Sequence, residues 1–186
     1  PIWDAHRGKP AKERDALPPD VLVVYKKNFE EVHDKALAAV RDALDELVRD
    51  RGTAISYKAR ETVSREDFVD RDLVIILGGD GTLTSIAHSI DSDTPVMGVN
   101  SHPQDDDEDG SYGFYMGSDT KHFAEDVRSA LDGTGIVNVL PRLQAEIVTT
   151  SGKTVLSDPA LNDLIIANTH QYQPSIYKLE RGAEGG

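Results

Sequence analysis

Leu73-Val74-Ile75-Ile76-Leu77-Gly78-Gly79-Asp80-Gly81-Thr82-Leu83 is the stretch from which the rest of the chain can be read. Its first five residues are apolar without alternation, which predicts a short strand buried on both faces. Gly78 and Gly79 end that strand. Thr82 to Ile90 carries apolar residues at helical spacing and predicts a helix directly after the turn. A buried strand that passes through glycines into a helix is the opening of a layered α/β unit.

The flanks repeat the pattern. Val21 to Tyr25 reads VLVVY, a second buried strand. Asn28 to Arg51 predicts a long helix, with Val32, Ala36, Ala39, Val40, Leu44 and Val48 as its apolar face and Gly52 at its C-cap. Thr53 to Tyr57 reads as a strand, Ser64 to Asp67 as a capped short helix, and Pro95 to Val99 as another strand. Asp119 to Leu131 predicts a helix capped by Ser118 or Asp119 and ending near Gly133. The alternation implies an α/β fold with a mostly parallel sheet and helices on both faces over residues 20–135. Residues 1–19, with Pro10, Pro18 and Pro19, read as a flexible arm. Asn100 to Tyr112 is a polar insertion containing the acids Asp105 to Asp109, read as a solvated loop. From Gly135 the texture becomes β-rich. Leu143 to Thr150 alternates, Ser151-Gly152 reads as a hairpin turn, Thr154 to Leu156 is extended, and Leu164 to Ala167 is apolar. Residues 136–186 therefore read as the start of an incomplete β-rich C-terminal domain.

The glycine turn carries the chemistry. Glycines let a backbone approach a diphosphate closely, and N–H groups backed by a helix N-terminus favour anionic oxygens. The turn lies at the C-terminal end of a strand, where open α/β sheets place ligands. Asp80 adds a carboxylate where phosphates are expected. It reads as a base for an attacking hydroxyl, as a Mg²⁺ ligand, or as a cap of the following helix. Neither GxxxxGK[ST] nor GxGxxG is present.

Composition narrows the classes. The net charge of -13, from 33 acids against 20 bases, opposes binding to nucleic acid or to an anionic membrane surface. It also fits adaptation to high salt. The absence of cysteine excludes disulfides and thiolate metal sites and is compatible with a cytoplasmic protein. No stretch reaches the roughly 20 apolar residues of a membrane span. The histidines form no metal constellation, so no metal ligand is assigned. His170 and the ring of Tyr172 or Tyr177 are candidates to touch a ligand, against ordinary surface packing.

GGDGT at 78–82 resembles the first signature of the NAD kinase family. Ala160-Leu161-Asn162-Asp163 resembles its "LNE" segment, with Asp163 in place of Glu. Pro95 to Asn100 with Gly113-Phe114 is similar to its "GIN…GF" stretch, and Gln173 to Tyr177 resembles the mitochondrial type. The resemblance covers Val21 to Leu179. It implies a Rossmann-like domain followed by a β-rich domain, with ATP as donor, Mg²⁺ as cofactor, and phosphorylation of the adenosine 2′-hydroxyl of NAD to NADP. It implies a homo-oligomer. Asp80 would deprotonate that hydroxyl; Gly78, Gly79, Gly81 and Thr82 would line phosphates; Asn162 and Asp163 would contact NAD. Diacylglycerol-type and sugar kinases also resemble the GGDGT pattern, and a non-catalytic nucleotide-binding module is a rival from another class.

Overall fold

A computed structural model describes residues 18–26, 31–104 and 110–168, and then 170, 172–176, 178 and 180. Most of the N-terminal arm, the start of the long helix before Glu31, the five acids at 105–109, and Tyr177 lie outside the described residues.

Five parallel strands form the main sheet: β1 (Asp20–Tyr25), β2 (Ala54–Ala59), β3 (Leu73–Gly78), β4 (Val96–Asn100) and β5 (Ser118–Asp119). Their spatial order is β2-β1-β3-β4-β5. The chain thus steps outward from β1 to β2, returns, and continues from β3 in the other direction. The crevice beyond the carboxyl ends of β1 and β3 is the point at which the order reverses, where open α/β sheets bind ligands.

Side-chain alternation builds a core on each face. Val21, Val23, Leu73, Ile75 and Leu77 pack with helix α1 (Glu31–Arg51) and helix α3 (Phe123–Leu131). Leu22, Val24, Val74 and Ile76 pack on the opposite face with Phe68, Ile90 and helix α2 (Asp80–Ile86). Residues of β1 and β3 are therefore buried whichever way they point, which is why both strands read as uninterrupted apolar runs.

The structure corrects several expectations. The buried face of α1 is Ala36, Val40, Leu44 and Leu47, whereas Ala39 and Val48 are exposed. The first core cluster lies under Leu47, and that contact selects it over its neighbour. Gly52 ends α1 at a φ of 67° and donates its N–H to the Val48 carbonyl at 3.0 Å. Helix α2 starts at Asp80, two positions before Thr82, because Gly79 in extended conformation serves as its N-cap and accepts from the Thr82 N–H at 2.9 Å. Helix α3 starts at Phe123. Asp119 instead pairs with β4 as part of β5, and its carboxylate accepts the N–H groups of Lys121 and His122 at 2.8 and 2.9 Å, turning the chain into the helix. The expected cap at Ser64 is present on a 3-10 turn, where the Asp67 carboxylate accepts the Ser64 N–H at 2.8 Å.

Beyond Gly135, β6 (Glu146–Val148) and β7 (Thr154–Leu156) pair antiparallel around Ser151-Gly152, with Gly152 at a φ of 78°. Leu164 to Ala167 forms no strand and is exposed. This segment meets the sheet layer through Leu161, Arg142 and Asp158, whose carboxylate accepts from Arg65 at 2.8 Å. Leu161 packs on the second core cluster. Arg142 donates to the carbonyls of Ala87 and Ile90 at 2.8 and 2.6 Å, capping the turn that follows α2. Among the described residues no helix is long and apolar enough to cross a membrane.

Candidate functional site

An open cleft of about 360 Å³ lies over the carboxyl ends of β1, β3 and β4, at the crevice where the strand order reverses. Gly79, Asp80, Gly81 and Thr82 line it, together with Lys26, His33, Arg60, Asn100, Ser101, His102, Gly110 and Ser111. Four of the five residues of the 78–82 signature thus meet in one cleft.

The glycines have different reasons to be glycine. A Cβ on Gly78 would sit 2.7 Å from the Thr82 Cβ, so its smallness lets the first turn of α2 fold back over the strand end. A Cβ on Gly79 would press on Ser111 at 2.9 Å. A Cβ on Gly81 would meet nothing within 4 Å, and Gly81 is exposed on the cleft. Packing within the protein does not account for Gly81.

Asp80 is half-buried, and its carboxylate spans the cleft edge. One oxygen accepts the Phe114 N–H at 3.0 Å and the other the Tyr115 N–H at 2.8 Å. The carboxylate is not the cap of α2, since Gly79 holds that position. Gly113, at a φ of 68°, turns the chain so that both amides face Asp80. Asn100 supports the same strand end: its side-chain amide donates to the Ser111 carbonyl at 3.0 Å, and its Oδ1 accepts the His102 N–H at 3.1 Å. Among the described residues no cation pairs with Asp80. Its oxygens each keep a lone pair for a substrate hydroxyl or a hydrated Mg²⁺, which binds through one or two carboxylates and substrate phosphates. No group of three or more His, Cys, Asp or Glu suited to a metal ion occurs among the described residues.

Asn162 and Asp163 are not among the residues lining this cleft. Both are exposed, and the Asn162 amide donates to the Asp163 carboxylate at 3.0 Å. His170 and Tyr172 are exposed as well. The reading of the sequence did not find Lys26, His33, Arg60, Ser101, His102 or the amides of Phe114 and Tyr115. The one available signal was position, since Lys26, Arg60 and Ser101 each follow a strand directly.

Residues 21–131 match the family model for the ATP-NAD kinase N-terminal domain. The chain belongs to the NAD kinase family. The matched span runs from β1 to the end of α3 and contains the whole cleft. Among curated members of the NAD kinase family, the chain is similar to an NAD kinase of Citrifermentans bemidjiense, 32% identical over 151 residues covering 74% of this chain and 49% of that protein. It is similar to an NAD kinase of Halorhodospira halophila, 36% identical over 110 residues, 57% of this chain and 33% of that protein. A probable NADH kinase of Oryza sativa subsp. japonica is 32% identical over 109 residues, 53% of this chain and 32% of that protein. The chain spans about half the length, or less, of these NAD kinase family relatives.

Proposed function

We propose that the protein transfers a phosphoryl group from ATP to the adenosine 2′-hydroxyl of NAD, giving NADP. The observation that carries this reading is Asp80, set on the cleft edge by two backbone amides and paired with no cation among the described residues. A carboxylate so placed accepts the proton of a hydroxyl as its oxygen attacks the terminal phosphorus. Gly79, Gly81 and Thr82 approach the phosphates, and Gly78 gives Thr82 its place. Mg²⁺, held by the phosphates with Asp80 as its candidate protein ligand, would neutralise charge on them. Asn162 and Asp163 are read as NAD contacts made outside the cleft. Residues 20–135 are read as the nucleotide domain and 136–186 as part of a second, β-rich one. A homo-oligomer belongs to the same reading, as the family resemblance implies.

The test is NADP formation from NAD, ATP and Mg²⁺, read by an NADP-specific dehydrogenase. Asp80→Asn is expected to lower turnover by about 10²–10⁴-fold with circular dichroism unchanged. Full activity in that variant removes the role of Asp80. Binding of NAD and ATP without any NADP replaces the enzyme with a nucleotide-binding module.

A further inference from the structure

We propose that Lys26 and Arg60 form the subsite for the phosphate chain of the donor, which runs from Gly79–Gly81 across the carboxyl ends of β1 and β2. The inference rests on the kinase reading above.

Strand register carries it. Tyr25 is level with Ala59 on β2 and with Leu77 on β3, and Gly78 is level with Asn100 on β4. Arg60 and Lys26 therefore come out level with Gly78 and Asn100, and Gly79 and Ser101 follow one residue further along the same sheet edge. Neighbouring strands lie about 4.8 Å apart. The Lys26 N–H continues the ladder onto the Leu77 carbonyl at 3.3 Å, and the Ser101 N–H does so onto the Gly78 carbonyl at 3.0 Å. The row is thus fixed by backbone bonds on both sides of the glycine turn. Its cationic half lies on one side of Asp80 and its neutral, hydroxyl-bearing half on the other.

The charge of the cleft runs against that of the chain. The whole sequence has 33 acids and 20 bases. The described lining has one acid, Asp80, against Lys26 and Arg60, with His33 and His102 beside them. Arg60 is half-buried, and its ion pair is with Glu61, its own neighbour in sequence, at 3.1 Å. An exposed pair of that kind contributes little and yields readily to a polyanion. His33 is turned toward β4 by its ring nitrogen, 2.7 Å from the Ser101 hydroxyl, and stacks edge-on with His102 at 6.3 Å. A row of two cations beside a glycine turn fits three linked phosphates better than the single diphosphate of a dinucleotide. A nucleoside triphosphate and inorganic polyphosphate share that chemistry.

Calorimetric titration of the protein with inorganic tripolyphosphate and with ATP tests the subsite. Lys26→Gln and Arg60→Gln are each expected to weaken binding by about tenfold. Lys26→Arg is expected to retain it, as is Lys153→Gln on the distant hairpin. Equal losses for both ligands assign the subsite to any polyphosphate. A loss for ATP, with no tripolyphosphate binding in any form, assigns it to a nucleoside triphosphate. Unchanged affinity in both Gln variants, or no binding of either ligand by the parent, overturns the proposal. NADP formation alongside unchanged affinity removes the subsite and leaves the kinase reading. Tripolyphosphate binding that falls in the variants, in a protein that makes no NADP, keeps the subsite and removes the kinase.

Discussion

Gly78 and Gly81 stand three positions apart and respond oppositely to a methyl group. At Gly78 the added carbon meets Thr82, and both residues are packed against the core. Gly78→Ala is expected to cost about 1–3 kcal/mol of stability, read from urea denaturation. At Gly81 the carbon enters open space within a helix, where Ala is favoured over Gly by up to about 1 kcal/mol. Gly81→Ala is therefore expected to raise the melting temperature while lowering nucleotide affinity. A fall in both would show that Gly81 serves the fold. The existence of this turn was legible in the sequence because an apolar run broke on glycines. The partners of Asp80 were not legible. They are backbone amides 34 and 35 positions away, and every residue except proline carries the same donor. Lys26 and Arg60 carried only their position after a strand, since they become neighbours only once the strand order places β1 beside β2.

At the scale of an element, α1 shows what periodicity leaves open. One helical turn of 3.6 residues from Leu44 arrives between Leu47 and Val48, and either fits the stripe. The core cluster over β1 and β3 takes Leu47. Leu47→Ala is expected to cost about 2–5 kcal/mol, and Val48→Ala no more than about 0.5 kcal/mol; chemical denaturation of the two variants distinguishes them. Strands β1 and β3 were legible for the complementary reason. Burial on both faces removes alternation and leaves apolar runs. Strand β5, two residues long, has no period to detect, and its residues Ser118 and Asp119 resemble a cap. The hairpin β6–β7 was legible from its turn, because Ser-Gly supplies the left-handed position that the connection needs.

Across the whole molecule, ion pairs tie one element to another, and two of them shift the titration of a carboxyl. Arg51 at the end of α1 meets Asp132 after α3 at 2.5 Å, and Lys58 on β2 meets Asp67 at 2.5 Å. The hydrogen bond from Arg51 holds the Asp132 carboxyl below its ordinary range, and those from Lys58 and from the Ser64 backbone do the same for Asp67. A carboxyl with a depressed folded-state pKa stabilises fully above its unfolded value. That contribution fades as pH falls below the ordinary value of 3.8 toward the lower folded one. Denaturation midpoints are expected to drop in that acid window, and Lys58→Met is expected to make the drop shallower. The net charge of -13 has a second global effect. Self-repulsion is screened by salt, so molar KCl is expected to raise the melting temperature above its value in dilute buffer. A flat response would mean that the acids are already dispersed enough not to strain the fold.

The neck of the 101–112 insertion is closed by its own bonds. The Ser111 N–H donates to the His102 carbonyl at 2.8 Å, the Gln104 N–H to the Ser111 carbonyl at 3.0 Å, and the Asn100 side chain to that same carbonyl. Whatever lies between Gln104 and Gly110 hangs from a knot tied on the near side of the cleft. Chain length there is uncoupled from the geometry at Asp80, because lengthening a closed loop adds only slowly to its entropy and moves neither end. A small epitope spliced between those two residues is expected to leave the geometry at Asp80 unchanged, making this position a natural port for an optical reporter beside the cleft.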